Sequence, residues 1–406
     1  MKARGIVTFA VMVVLVSTVF LSLPSEVKAQ RPIEIWPTQG WATSTPEEQG
    51  MNSSALEDVY DHVRDSRARH RSLLVVRHGY LIAEEYFVPI MYDVNDTHNL
   101  FSTTKSVVSS LIGIAIDQGF IDNTSQLLLD FFPDRTISNT SAWKEEITLE
   151  DVLQMRSGFQ WYEPFTSGYD DYNAMKDSDD WAQFVLDRPM AYEPGSTFYY
   201  NSGNSHLLAT IINVTTGMTP LAFADQYLFG SIGITNRGWP TDPQGVNNGG
   251  QYLALRPRDM AKFGLLYLNN GTWDDQQVVS SDWVNISSHG PSTPEGPWSD
   301  QCGTYGETSY GYQWWLNDYQ GWYSARGFMG QLIYVIPEHD VVVVFSSDNT
   351  GGWEYDLWVG QVLNAITNIY PTTTQTGTPL DMTYVLVGVV AIGTVAVVVI
   401  VVKMKK

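Results

Sequence analysis

At residues 102–105 the chain sets Ser102-Thr103-Thr104-Lys105 ahead of an apolar run, Val107-Val108-Ser109-Ser110-Leu111-Ile112-Gly113-Ile114-Ala115-Ile116. This run predicts a buried helix, and residues at i and i+3 lie on one side of a helix. The fold must therefore carry Lys105 inward and leave the Ser102 hydroxyl one turn away, at the helix mouth. Burial depresses a lysine pKa. A neutral amine within reach of a hydroxyl can take its proton, which yields a nucleophilic serine that needs no histidine. The same spacing recurs at Ser25 to Lys28 and at Ser141 to Lys144. The first pair lies in an N-terminal leader. The second, Ser141-Ala142-Trp143-Lys144, runs into Glu145-Glu146 beside a glycosylation sequon and predicts a solvated turn with an ordinary lysine. The plain alternative for Ser102 is a helix N-cap, and motifs further along the chain decide between the two.

The two ends differ from the body. Lys2 and Arg4 precede an apolar stretch from Ile6 to Leu23, and Val27-Lys28-Ala29 supplies a small-residue exit, so residues 1–29 are expected to be a secretory signal cut after Ala29 or kept as an anchor. Residues 30–44 form an extension. At the other end, Met382 to Val402 gives 21 residues without a charge, enough at ~1.5 Å each to cross a hydrocarbon core of ~30 Å. Lys403, Lys405 and Lys406 follow and place residues 403–406 in the cytoplasm. The Thr-rich segment 371–381 reads as a stalk. The expectation is a single transmembrane helix over 382–402 with the body, residues 45–370, held outside the cell. Sequons opening at Asn52, Asn95, Asn123, Asn139, Asn213, Asn270 and Asn285 agree with export to a glycosylating compartment.

A formal net charge of -21 leaves no basic stripe for phosphates and argues against a nucleic-acid partner. The single Cys302 permits no internal disulfide, so stability must come from the core. His62, His70, His78, His98, His206, His289 and His339 show no paired ligand spacing. Neither a metal nor a cofactor is expected, and His206 reads as a helix-surface residue. No serine sits in Gly-x-Ser-x-Gly, which argues against an α/β-hydrolase elbow.

Ser72 to Arg77 and Tyr80 to Phe87 are β-rich runs joined by His78-Gly79, a hairpin signal. Short amphipathic helices are expected over Leu149–Met155, Asp179–Leu186 and Ser205–Val214. Strands return at Tyr310–Leu316, Gln331–Ile336 and Val341–Phe345, and Val359–Ile369 would be a closing helix. Strands at both ends around a helical middle predict an α/β body: an antiparallel sheet built from N- and C-terminal strands, flanked by helices, with a mostly helical lobe inserted.

Two further segments complete the pattern. Pro194-Gly195-Ser196-Thr197-Phe198-Tyr199-Tyr200-Asn201-Ser202 leads into Leu207-Leu208, and Ala325-Arg326-Gly327-Phe328-Met329-Gly330-Gln331 precedes Pro337 in the strand region. With Ser102-Thr103-Thr104-Lys105, their order and spacing resemble the serine β-lactamase and penicillin-binding-protein family over roughly residues 45–370. The likeness is to its class C-like branch of esterases, D-aminopeptidases and 6-aminohexanoate-dimer hydrolases. The resemblance implies a β-lactamase/transpeptidase-like fold, with Ser102 as nucleophile, Lys105 as base and Tyr200 as proton relay. It places Ser202 where the family usually has Asn, as in the nylon-oligomer branch, and Ala325 where it has Lys or His. It also implies an oxyanion hole from the NH groups of Ser102 and Phe328, with Ser202, Ala325, Arg326 and Gly327 at the substrate and Arg326 as a substitute cation.

Trp161 and Tyr162 are candidates for the acyl pocket, with core packing as the alternative. Asp170 and Asp171 are candidates for meeting a substrate amine, with a solvated acidic loop as the alternative. The expected reaction is hydrolysis of a small ester or amide by a membrane-anchored extracytoplasmic enzyme. The competing readings are a catalytically silent binding ectodomain and a true β-lactamase or D-peptidase. The sequence leaves the oligomeric state open.

Overall fold

A computed structural model of the chain describes residues 36–66, 69–87, 93–164, 170–289, 309–348, 354–367, 385–392 and 395–401. The expected leader, stalk and basic tail lie outside the described residues, as does Cys302.

Seven strands form the main sheet: β1 (His70–Arg77), β2 (Tyr80–Tyr86), β3 (Ser309–Tyr310), β4 (Trp315–Asn317), β5 (Trp322–Gly327), β6 (Gln331–Ile336) and β7 (Val341–Ser347). Their order is β2-β1-β7-β6-β5-β4-β3, and every neighbouring pair is antiparallel. The centre of the sheet is the pairing of β1 with β7, registered at Val75 with Val343, which joins the two ends of the body as expected. The β1–β2 turn takes positive φ at both His78 (51°) and Gly79 (81°), the primed-turn geometry that matches strand twist.

β1, β6 and β7 read as almost unbroken apolar runs because both faces of the sheet are covered. Successive side chains alternate between faces. Leu73, Val75, Leu332, Tyr334, Val341, Val343 and Phe345 enter one cluster, with Leu56, Val59 and Val63 of α1 (Ser53–Asp65) and the closing helix. Leu74, Val76, Ile333, Val335, Val342 and Val344 enter the larger cluster with the helical lobe. That lobe includes α2 (Thr104–Asp117), α3 (Ser202–Thr216) and α4 (Pro257–Leu268). At Gly264 of α4 an added Cβ would stand 2.6 Å from Val342 Cγ1, so this glycine sets how closely helix and sheet approach. α2 is buried all round from Thr104 to Ala115.

Three expectations are corrected. The strand over Tyr310–Leu316 divides into β3 and β4, because Gln313 turns the backbone to φ 63° between them. Its side chain ties three elements together, donating to Leu153 O (2.6 Å) and accepting from Ser205 Oγ (2.6 Å), while its carbonyl accepts from Ser106 Oγ (2.7 Å). The closing helix, α5, runs over Glu354–Asn364, not Val359–Ile369. Finally, the expected transmembrane helix is replaced by two antiparallel strands, β8 (Val385–Ile392) and β9 (Val395–Val401). The segment is rich in valine, whose branched Cβ favours extended backbone. Among the described residues no single helix is long and apolar enough to cross a membrane; the bent pair Ser202–Thr216 and Pro220–Phe229 meets the test only jointly, across a 74° break.

Candidate active site

Ser102 sits in a single 3-10 turn, Phe101–Thr103, that feeds directly into α2. Phe101 has φ 46°, an uncommon conformation for a bulky residue and typical of strain held at functional sites. Its amide donates to Asn99 Oδ1 (2.9 Å). The two threonines between serine and lysine act as anchors. Thr103 Oγ1 donates to Gln331 O in β6 (2.6 Å), and Thr104 Oγ1 accepts from Leu253 N (3.2 Å). The serine and lysine are thereby fixed against both the sheet and the lobe.

Lys105 is 1% exposed. Its Nζ lies 2.9 Å from Ser102 Oγ, 3.0 Å from Ser202 Oγ and 2.8 Å from Gly250 O. Burial lowers its pKa to about 8, against an opposing pull from Glu163. Tyr200 is buried, hydrogen-bonded to Ser102 and stacked on Trp315 at 5.9 Å. Burial, reinforced by Glu163, pushes its phenol well above the usual range, against the Ser102 hydrogen bond. Ser202 opens α3, whose N-cap is Asn201, the side chain accepting from Asn204 N. The structure thus brings Ser102, Lys105, Tyr200 and Ser202 into one constellation.

Glu163, which no motif marks, completes it. The carboxylate is 7% exposed and accepts from Ser202 Oγ (2.6 Å), Ser202 N (2.9 Å) and Trp161 Nε1 (2.8 Å). A lone Glu in a loop carries no periodic or spacing signal, so only the folded neighbourhood identifies it. Trp161 is corrected accordingly: its indole is buried in the core and its NH is committed to Glu163, while Tyr162 is half exposed.

The end of β5 packs on the serine turn. A Cβ at Gly327 would stand 2.1 Å from Leu100 O, and the Phe328 ring meets Phe101 edge-on at 5.6 Å. Met329 (φ 62°) and Gly330 (φ 81°) close the turn into β6. Ala325 and Arg326 depart from expectation. Ala325 is fully buried in the larger cluster and offers no polar side-chain group. Strand alternation sends Arg326 to the opposite face, where it donates to Asp356 Oδ1 of α5 (2.8 Å) and to Ser324 Oγ (2.8 Å) and lies over Tyr334. It is not a substitute cation for the cleft.

Other polar residues prove to be internal fastenings. Lys144 is buried and donates to Ser138 O and Leu186 O, each at 2.8 Å, not a solvated lysine. Asp170 caps the helix Asp171–Lys176, and buried Asp171 pairs with Arg188 at 3.1 Å, so neither belongs to a solvated loop. His206 is fully buried against Asp242 (3.0 Å), not on a helix surface. Among the described residues no cluster of metal-ligating side chains occurs.

A serine, a buried lysine and a tyrosine joined by hydrogen bonds, between a doubly covered antiparallel sheet and a helical lobe, define a serine hydrolase of the Ser-x-x-Lys class. Residues 57–360 match the Beta-lactamase family model, and the chain belongs to that family. It is 28% identical over 287 residues to the 6-aminohexanoate-dimer hydrolase of Paenarthrobacter ureafaciens, covering 67% of this chain and 71% of that one. Among solved structures, EstCE1, a hydrolase with promiscuous acyltransferase activity, superposes with a TM-score of 0.64 at 13% identity, over 80% of this chain and 99% of that one. A penicillin-binding protein homolog from Caulobacter crescentus gives a TM-score of 0.60 at 14% identity, over 80% of this chain and 98% of that one. The structural likenesses establish the fold, and the family match establishes a serine hydrolase of β-lactamase type.

Proposed function

We propose that the chain hydrolyses a small linear ester or amide through an acyl-enzyme on Ser102. The observation that carries this reading is the 2.9 Å contact between the buried Lys105 amine and the Ser102 hydroxyl. Lys105 takes the Ser102 proton as Oγ bonds to the substrate carbonyl carbon. Tyr200, hydrogen-bonded to the same hydroxyl, passes its proton to the leaving group as the bond from that group to the acyl carbon breaks, and takes the former Ser102 proton from the Lys105 ammonium, so both groups enter the second step neutral. The NH groups of Ser102 and Phe328 hold the oxyanion. Water, activated by the Lys105 and Tyr200 pair, then attacks the acyl carbon and releases Ser102 with its proton restored.

A linear substrate is favoured over a β-lactam by Ala325 at the position of the family cation, with Arg326 turned to the other face. The 28% identity to a 6-aminohexanoate-dimer hydrolase supports the amide side of this reading. The intact Ser102, Lys105 and Tyr200 network weighs against a silent binding domain. The test is a panel of p-nitrophenyl esters, nitrocefin, D-amino-acid amides and short linear amides. Ser102→Ala should abolish ester turnover and labelling by a covalent serine probe; retained labelling would sink the assignment.

The same proposal places the enzyme outside the cell on a membrane tether. The tether would be the uncharged segment 382–402, followed by Lys403, Lys405 and Lys406. Release of the full chain into alkaline carbonate washes would refute the tether.

A further inference from the structure

The hydrogen bonds behind Lys105 have a direction. Ser202 carries one hydroxyl proton, and a carboxylate only accepts. With Glu163 Oε1 at 2.6 Å and Oε2 held by the Ser202 amide at 2.9 Å, that proton is committed to Glu163. Ser202 Oγ can then only accept from Lys105 Nζ, 3.0 Å away, and Gly250 O, at 2.8 Å, can only accept as well. A neutral amine has two hydrogens and one lone pair. Both hydrogens are used, and the third close neighbour is Ser102 Oγ at 2.9 Å.

We propose that Glu163 is a positioning residue that fixes the direction of the chain Glu163–Ser202–Lys105 and so aims the Lys105 lone pair at the Ser102 proton. The inference rests on the serine-hydrolase reading above. When Ser102 is attacked by Lys105, its O–H bond breaks, an N–H bond forms on Lys105, and the oxygen pair forms the bond to the acyl carbon. A glutamine at 163 could donate its amide to Ser202 Oγ. The Ser202 proton would then turn onto the Lys105 lone pair and occupy it. The titratable groups facing this chain are Lys105, Glu163, Tyr200 and, on the far side of Glu163, Tyr172. The carboxylate favours the ammonium form of Lys105, so its loss moves titration of the base to lower pH.

The full chain is assayed on p-nitrophenyl acetate across pH, as wild type, Glu163→Gln, Ser202→Ala and the double variant. Glu163→Gln is expected to lower plateau kcat ~10- to 100-fold, part of the 10²–10⁴ that general base catalysis contributes. KM should stay within about threefold and the acidic limb of kcat/KM should move to lower pH. In the Ser202→Ala background Glu163→Gln should add little further loss of kcat, as expected for coupled groups. An unchanged kcat, a loss without a moved limb, or losses that simply multiply would each overturn the inference. If Glu163→Gln does not fold, Ser202→Ala alone reads the same relay: a lower kcat at near-constant KM supports it and an unchanged kcat refutes it. Ser102→Ala separates the two levels, because activity surviving that change removes the serine-hydrolase reading itself.

Discussion

At the scale of single residues, the site depends on an amine that folding has made a weaker base. An ordinary lysine near pKa 10.5 would be protonated at neutral pH and useless as a base; burial brings Lys105 to about 8. The group must lose its proton to act, so log(kcat/KM) should rise with pH, bend near 8 and level above it. A profile flat from about pH 6 to about 9 would contradict the assignment. Tyr200→Phe should keep the stack on Trp315 and lose the bond to Ser102. Stopped assays on a p-nitrophenyl ester should then show a loss of ~10²-fold or more in kcat, with an unchanged melting temperature. Ser102, Lys105, Tyr200 and Ser202 were visible in the sequence because each stands in a motif at family spacing. Glu163 was not, since what selects it is contact with Ser202, 39 residues away along the chain.

At the scale of elements, the strand that borders the cleft has two chemically different faces, and this decides the fate of Arg326. Placed one residue after Ala325, it must point away from the cleft into α5, where Asp356 receives it. Arg326→Ala should therefore destabilise the fold by about 1–3 kcal/mol, because the Asp356 carboxylate loses its cation and keeps the Tyr334 hydroxyl as a donor (2.6 Å). Its kcat/KM on esters should stay close to wild type; a large loss of activity at full stability would return Arg326 to the site. The close approach of α4 to the sheet is similarly local. Gly264→Ala puts a methyl 2.6 Å from Val342 Cγ1 and 2.9 Å from Ile333 Cγ2, and overpacking of this kind costs ~1–3 kcal/mol. A thermal melt should show the drop, on the order of 1–2 °C per kcal/mol for a domain of roughly 300 residues. The strands and helices themselves were largely legible from apolar runs. Their ends were not: Gln313 breaks a strand through bonds to Leu153, Ser205 and Ser106, none of them near it in sequence.

At the scale of the whole molecule, 23 cationic and 44 acidic side chains give the net charge of -21, and such a surface repels itself. Salt screens that repulsion over a Debye length of ~10 Å at 0.1 M. The melting temperature should therefore climb between low salt and about 1 M sodium chloride. A fall would mean that ion pairs such as Arg71 with Asp348 and Arg258 with Glu84 outweigh the net charge. By itself the sequence determined the composition of the layers, the antiparallel sheet closed by the two ends of the body, and the motif residues Ser102, Lys105 and Tyr200. Periodicity and spacing are properties of the chain, and the hydrophobic effect converts them into burial with little regard to detail. Only the tertiary structure decided that Glu163 backs Ser202, that Arg326 leaves the cleft, and that Lys144, Asp171 and His206 are internal fastenings. Those outcomes depend on which polar atoms come within about 3 Å of one another across distant segments, and hydrogen-bond geometry at that range is set by packing, not by neighbours in sequence.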